Sequence, residues 1–113
     1  MLPLDLQKIT AIKDYCEEIA QTVNRYGKSF EIFDKDTDYQ KSISFSILQI
    51  GELSGKLSDE FRTETSSSIN WQAVRGMRNL FAHNYGAMSR DIIWKTANED
   101  VAKLLDFCNT LIK

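Results

Sequence analysis

Apolar side chains recur at three- and four-residue steps along nearly the whole chain, and that spacing limits the fold more than any other feature. Leu2, Leu6, Ile9, Ile12, Cys16, Ile19, Ala20, Val23 and Tyr26 follow the period of a helix. The spacing predicts a first helix over 2–26, with Pro3 in its first turn, where a missing N–H does no harm. Gly27 is its natural stop. Helix breakers are scarce: one proline and five glycines in 113 residues. No alternating apolar run bounded by turns occurs, so no sheet is expected.

Three further helices follow from the same reasoning. Residues 28–36 read as a loop with a short helical turn around "SFEIF". "TDYQ" has the form of a capping box, Thr37 capping the orphan amides and Gln40 reaching back. A long helix then carries Ile43, Ile47, Ile50, Leu53, Ser54 and Leu57 on its inner side and ends near Leu57 or Ser58. "SDEFR" continues it or forms a separate turn, and "TETSSS" is a polar loop. Asn70 caps a third helix with Trp71, Val74, Met77 and Phe81 at helical steps, and Gly86 stops it. Ser89 caps the last helix, which runs to about Leu111 through Ile93, Ala97, Val101, Leu104 and Cys108. Short connections between long helices imply antiparallel packing. The expected fold is therefore all-α, an up-and-down bundle of four or five helices forming a single domain over 1–113.

Composition excludes several function classes. No stretch is long and apolar enough to span a bilayer, and the charged N-terminus lacks a signal-peptide core. A cytoplasmic protein with no membrane partner is expected. Cys16 and Cys108 are far apart and read as buried, reduced thiols. With one histidine and no cysteine pair, no metal site and no cofactor are expected. The net charge of −2 argues against a generally basic nucleic-acid binder. Charge is unevenly placed, however. Residues 62–95 hold five cationic side chains against two acidic ones, and all the arginines but Arg25 lie there. Arginine donates in pairs to phosphate, so this segment is a candidate positive site.

Two short stretches stand out. In "IGELSGKLS", Gly51, Ser54 and Gly55 lie on one side of the second helix. Glycine within a helix costs about 1 kcal/mol relative to alanine, so another helix is expected to approach closely, from the same chain or from a second copy. Glu52 lies among them and is placed either to pair with an arginine or to face solvent. The stretch "RGMRNLFAHNYG" holds the only histidine. At about 100° per residue, Asn79 and His83 share one face of the third helix. Tyr85 returns close to Arg78 if the helix persists that far.

Such groups suit attack on a phosphodiester. Histidine moves protons near neutral pH, arginine stabilises charge developing on phosphate oxygens, and asparagine orients the imidazole or binds an oxygen. On RNA the 2′-hydroxyl is itself the nucleophile, so a base, an acid and a cation suffice. One histidine does not serve easily as both base and acid. A two-fold dimer placing two copies of His83 and Arg78 around one cleft supplies both. The same residues also suit a surface charge and a polar helix end.

The stretch "GMRNLFAHNY" resembles the signature of the HEPN superfamily: Arg, four to six residues, then His, often with Asn after the Arg. "IGELSGKLSDEFR" followed by "INWQAVRGMRNLFAHNYGAMSRDIIWKTANEDVAKLL" is similar to its HepT-like branch, the toxin half of MNT/HEPN toxin–antitoxin pairs. The resemblance implies an all-α bundle, a homodimer with a composite interface cleft, and metal-independent RNase activity on an RNA substrate, tRNA or mRNA. It implies that Arg78 and His83 are catalytic and Asn79 supporting. It also implies a minimal nucleotidyltransferase antitoxin as partner, which transfers AMP to the tyrosine of a His-x-Tyr element, here Tyr85. The alternative is a non-catalytic HEPN module that binds a nucleotide or serves the partner enzyme.

Overall fold

The structure, a computed structural model, describes residues 1–83 and 85–112, and of Tyr85 the backbone alone. The described residues are helical nearly throughout and include no strand. Helix α1 spans Pro3–Tyr26, α2 Phe30–Lys35, α3 Thr37–Ser54, α4 Asp59–Glu64 and α5 Trp71–His83. A 3-10 turn over Tyr85–Ala87 leads to α6, Arg90–Lys95, and a π-helical turn over Thr96–Asp100 joins α6 to α7, Val101–Leu111. Helix α3 packs on α1 and α5, and α1 packs also on α7. The expected bundle is thus present, with α2 and α4 as short additions between its long helices. No described helix is long and apolar enough to cross a membrane.

The core stripe of α1 is Asp5, Ile9, Ile12, Cys16, Ile19 and Val23. Its first member is not the leucine that periodicity suggests. Leu2 and Leu6 are exposed, while Asp5 is buried. A buried carboxylate must be hydrogen-bonded, and this one accepts from the Ser58 backbone N–H at 2.8 Å and from the Ser58 hydroxyl at 2.7 Å. The same hydroxyl accepts from Phe61 N–H and so caps α4. Asp5 therefore ties the start of α1 to the start of α4. An apolar stripe cannot reveal such a tie, because its signal is a polar residue in the stripe.

Two helix starts differ from expectation. The cap of α3 is Asp36, whose carboxylate accepts from Tyr39 N–H at 3.1 Å, and Thr37 is the first helical residue. A carboxylate at this end gains from the helix dipole as well. Gln40 closes no capping box. Its amide donates to the carbonyls of Phe33 and Asp34 at the end of α2. Ser89 precedes α6, but its side chain makes no capping bond. Asn70 caps α5 as expected, accepting from Ala73 N–H at 3.1 Å.

The last helix is not uniform. Ile93, Ala97 and Val101 are all buried, yet two successive four-residue steps overshoot an α-helical face by about 40° each. The wider π-helical turn takes up that overshoot. Leu104 and Cys108 then continue the face through α7. Cys16 and Cys108 are free and buried, as expected. Burial pushes the Cys108 thiol up to about 11, and Cys16 is pushed higher by burial and by the neighbouring Cys108.

Candidate active site

The close approach expected at the glycines occurs at Gly51 and within the chain. A Cβ there would lie 2.8 Å from both the backbone N and the Cβ of Arg78. No side chain fits, so Gly51 lets α3 and α5 cross with Arg78 at the contact point. Gly55 is different. A Cβ there would meet only ordinary contacts, with the Glu52 carbonyl at 3.5 Å and Arg75 Nε at 3.6 Å. Within this chain no helix crosses closely at Gly55, contrary to expectation: α5 has moved away from α3 by that point, leaving space.

That space is an open cleft of about 460 Å³ between α3 and α5. Gly51, Gly55 and Gly76 contribute no side chains to it, and Glu52, Gln72, Arg75, Arg78 and Asn79 line it with polar groups. Glu52, one residue beyond the crossing point, accepts from Arg78 Nε at 2.5 Å. Arg78 Nη1 donates to Asn79 Oδ1 at 3.1 Å. The guanidinium is thus held on two sides while remaining partly exposed. The hydrogen bond from Arg78 holds the Glu52 carboxyl below its usual range. A carboxylate with a lowered folded-state pKa stabilises the fold above its unfolded pKa, and that contribution is lost as pH falls through the folded value. The pair is near the surface, so its worth to stability is small.

His83 is the last residue of α5 and is exposed. It stands four residues after Asn79, hence on the same face. Helix α5 ends there and the Tyr85 backbone belongs to the 3-10 turn, so the condition under which Tyr85 returns to the Arg78 stripe is not met by the backbone. The Tyr85 side chain lies outside the described residues, as does Asn84.

The positive segment is less free than its charge suggests. Arg62 pairs with Asp59 and donates to the carbonyls of Ser54 and Gly55 at the end of α3. Arg90 pairs with Asp34. Of the four arginines in the segment, Arg75 and Arg78 line the cleft.

A helical bundle that presents Arg, Asn and, four residues on, His from one helix beside an interhelical cleft has the architecture of a HEPN-type ribonuclease. The family model described as "Ribonuclease HepT-like" matches residues 12–111, and the chain belongs to that family. It is similar to "Putative RNase TTE0752" of Caldanaerobacter subterraneus, 35% identical over 89 residues that cover 79% of this chain and 77% of that one. It is similar also to "Putative RNase MJ1380" of Methanocaldococcus jannaschii, 32% identical over 81 residues, covering 64% and 73% of the two chains. A third relative is "Probable ribonuclease HepT" of Thermococcus cleftensis, 29% identical over 97 residues, covering 81% and 87%. No solved structure shows a significant match. The enzyme class that comes with this family is endoribonuclease.

Proposed function

We propose that the chain is a metal-independent endoribonuclease of toxin type that cleaves RNA, tRNA or mRNA, as a homodimer. The observation that carries this reading is the Arg78 guanidinium, fixed by Glu52 and Asn79 at an open cleft, with His83 exposed further along the same helix.

In the reaction, one His83 takes the proton of a ribose 2′-hydroxyl. The 2′-oxygen attacks the adjacent phosphorus and the bond from phosphorus to the 5′-oxygen breaks. The second copy's His83 protonates that leaving oxygen. The products are a 2′,3′-cyclic phosphate and a 5′-hydroxyl. Arg78 binds the phosphate oxygens as negative charge builds on them, and Asn79 supports it. Glu52 acts through Arg78: it occupies Nε while Asn79 takes Nη1, which leaves Nη2 for phosphate oxygens. Replacement of Glu52 by alanine is expected to lower the cleavage rate roughly ten- to hundredfold, because a displaced catalytic group is costly. Glu52→Gln keeps a carbonyl acceptor for Nε and should retain most of the rate. Equal rates for wild type and Glu52→Ala would remove Glu52 from the account.

The reading includes neutralisation by a minimal nucleotidyltransferase antitoxin. The Tyr85 hydroxyl attacks the α-phosphorus of ATP and pyrophosphate leaves, so Tyr85 carries AMP. The added bulk and negative charge would exclude substrate phosphate from the catalytic site. Intact mass of the protein co-expressed with such a partner is expected to rise by one adenylyl group. Tyr85→Phe should keep the unmodified mass and most of the cleavage activity. An adenylyl group on Tyr85→Phe would refute the assignment of the acceptor.

A further inference from the structure

The cleft holds a second cation that the catalytic motif does not use. Arg75 lies one helical turn before Arg78 on α5, and its Nε stands over Gly55 on the opposite wall. Arg75 is exposed. Among the described residues its guanidinium has no hydrogen-bond or ion-pair partner, whereas Arg62, Arg78 and Arg90 each pair with a carboxylate. Among the described residues that line the cleft, the one acidic side chain, Glu52, is already engaged by Arg78.

The glycines of this cleft point the same way. Gly51 is required by the helix crossing, but Gly76 is not: a Cβ there would meet nothing within 4 Å. Glycine in the middle of a helix is unfavourable, and nothing within the folded chain explains this one. A Cβ at Gly55 also fits, in ordinary contact with the Glu52 carbonyl and Arg75 Nε. The fold admits a Cβ at both positions and the sequence places none, so the cleft stays open beside an unpaired guanidinium. A fork of N–H donors over a bare backbone floor suits a phosphate with its ribose.

We propose that Arg75 is a substrate-binding residue, seating a backbone phosphate of the RNA strand next to the phosphate that Arg78 holds, in the cleft floored by Gly55 and Gly76. The proposal rests on the RNA-cleaving reading and adds to it a subsite for the neighbouring nucleotide. The strand crosses α5 along its length, and two phosphates contact successive turns of one helix.

The test measures binding of a fluorescent 2′-O-methyl oligoribonucleotide, which has no 2′-hydroxyl to attack, over a series of salt concentrations, together with cleavage of total RNA. The variants are Arg75→Gln, Arg75→Lys, Gly76→Phe and, as a control of equal charge change on α1, Arg25→Gln. Arg75→Gln is expected to bind roughly tenfold more weakly and to lose about one contact from the salt dependence. It should raise KM with kcat nearly unchanged. Arg75→Lys should recover the salt slope and part of the affinity. Gly76→Phe, with its ring in the cleft, should keep its melting temperature and lose binding. Arg75→Gln indistinguishable from Arg25→Gln in both assays would overturn the proposal while leaving the cleavage reading in place. Dissociation of a dimer by Gly76→Phe, with RNA binding by the monomer intact, would overturn it by assigning the cleft to a second copy. Wild type that neither binds nor cleaves RNA would overturn the reading beneath it.

Discussion

Replacing His83 with alanine is expected to lower RNA cleavage by roughly two to four orders of magnitude, the usual share of general acid–base catalysis, without altering the fold. The side chain is exposed at the last position of α5, so its loss opens no cavity and breaks no core contact. Among the described residues it makes no hydrogen bond that holds another element in place. A large loss of rate with an unchanged melting temperature separates a chemical role from a structural one. In a homodimer the substitution removes base and acid together, so the defect should be near the upper end of that range. Cleavage kinetics on purified protein, with melting recorded on the same sample, provide the check. An unimpaired His83→Ala enzyme would mean that the proton transfers belong to other groups.

The second large effect is on stability. Gly51→Leu must force α3 and α5 apart, because even a Cβ would stand 2.8 Å from the backbone of Arg78. Backbone cannot rotate aside as a side-chain tip can. Overpacking costs about 1–3 kcal/mol and sometimes more, and a contact against backbone belongs at the upper end. For a domain of this size roughly 3 kcal/mol lowers the melting temperature by about 10–20 °C. Activity should fall further than stability, since the same displacement moves Arg78 away from Glu52. Gly55→Leu is the internal control: a Cβ there meets only ordinary contacts, one of them the end of the exposed Arg75 side chain, so it should melt near wild type. Equal melting of Gly51→Leu and wild type would contradict the close crossing.

These two residues also show what could be read from the chain before its fold was known. The periodic stripes in α1, α3, α5 and the C-terminal helices were legible because burial follows the period of a helix. Gly51 was legible as a packing glycine because its cost needs a cause, but sequence alone could not say which helix approaches. Gly55, four residues on, carried the same local signal for a different reason, and only the divergence of α3 and α5 separates them. The sequence offers Glu52 either an arginine partner or solvent and does not single out Arg78, since 26 residues separate the two and no local spacing links them.

Polar residues that hold elements together were the least legible. Asp5 occupies a core position on α1, and its partner, Ser58, lies 53 residues away. Asp36 displaced Thr37 as the cap of α3 because two adjacent residues were both able to cap and local pattern does not rank them. The cluster of arginines reads as a single positive site, yet three of the four are paired with carboxylates: Arg62 with Asp59 on its own helix, and Arg78 and Arg90 with the distant Glu52 and Asp34. Charge counted along a sequence measures supply, and tertiary contacts decide how much of it remains available to a ligand.

In the proposed reaction RNA supplies its own nucleophile and the protein supplies proton transfer and a guanidinium. The most direct measurement is the chemistry of the product ends after cleavage by the unmodified protein in excess EDTA, with intact mass confirming that Tyr85 carries no AMP. Cleavage with 2′,3′-cyclic phosphate and 5′-hydroxyl ends is expected. Cleavage that stops in EDTA, returns with a divalent cation and leaves 5′-phosphate ends would contradict it.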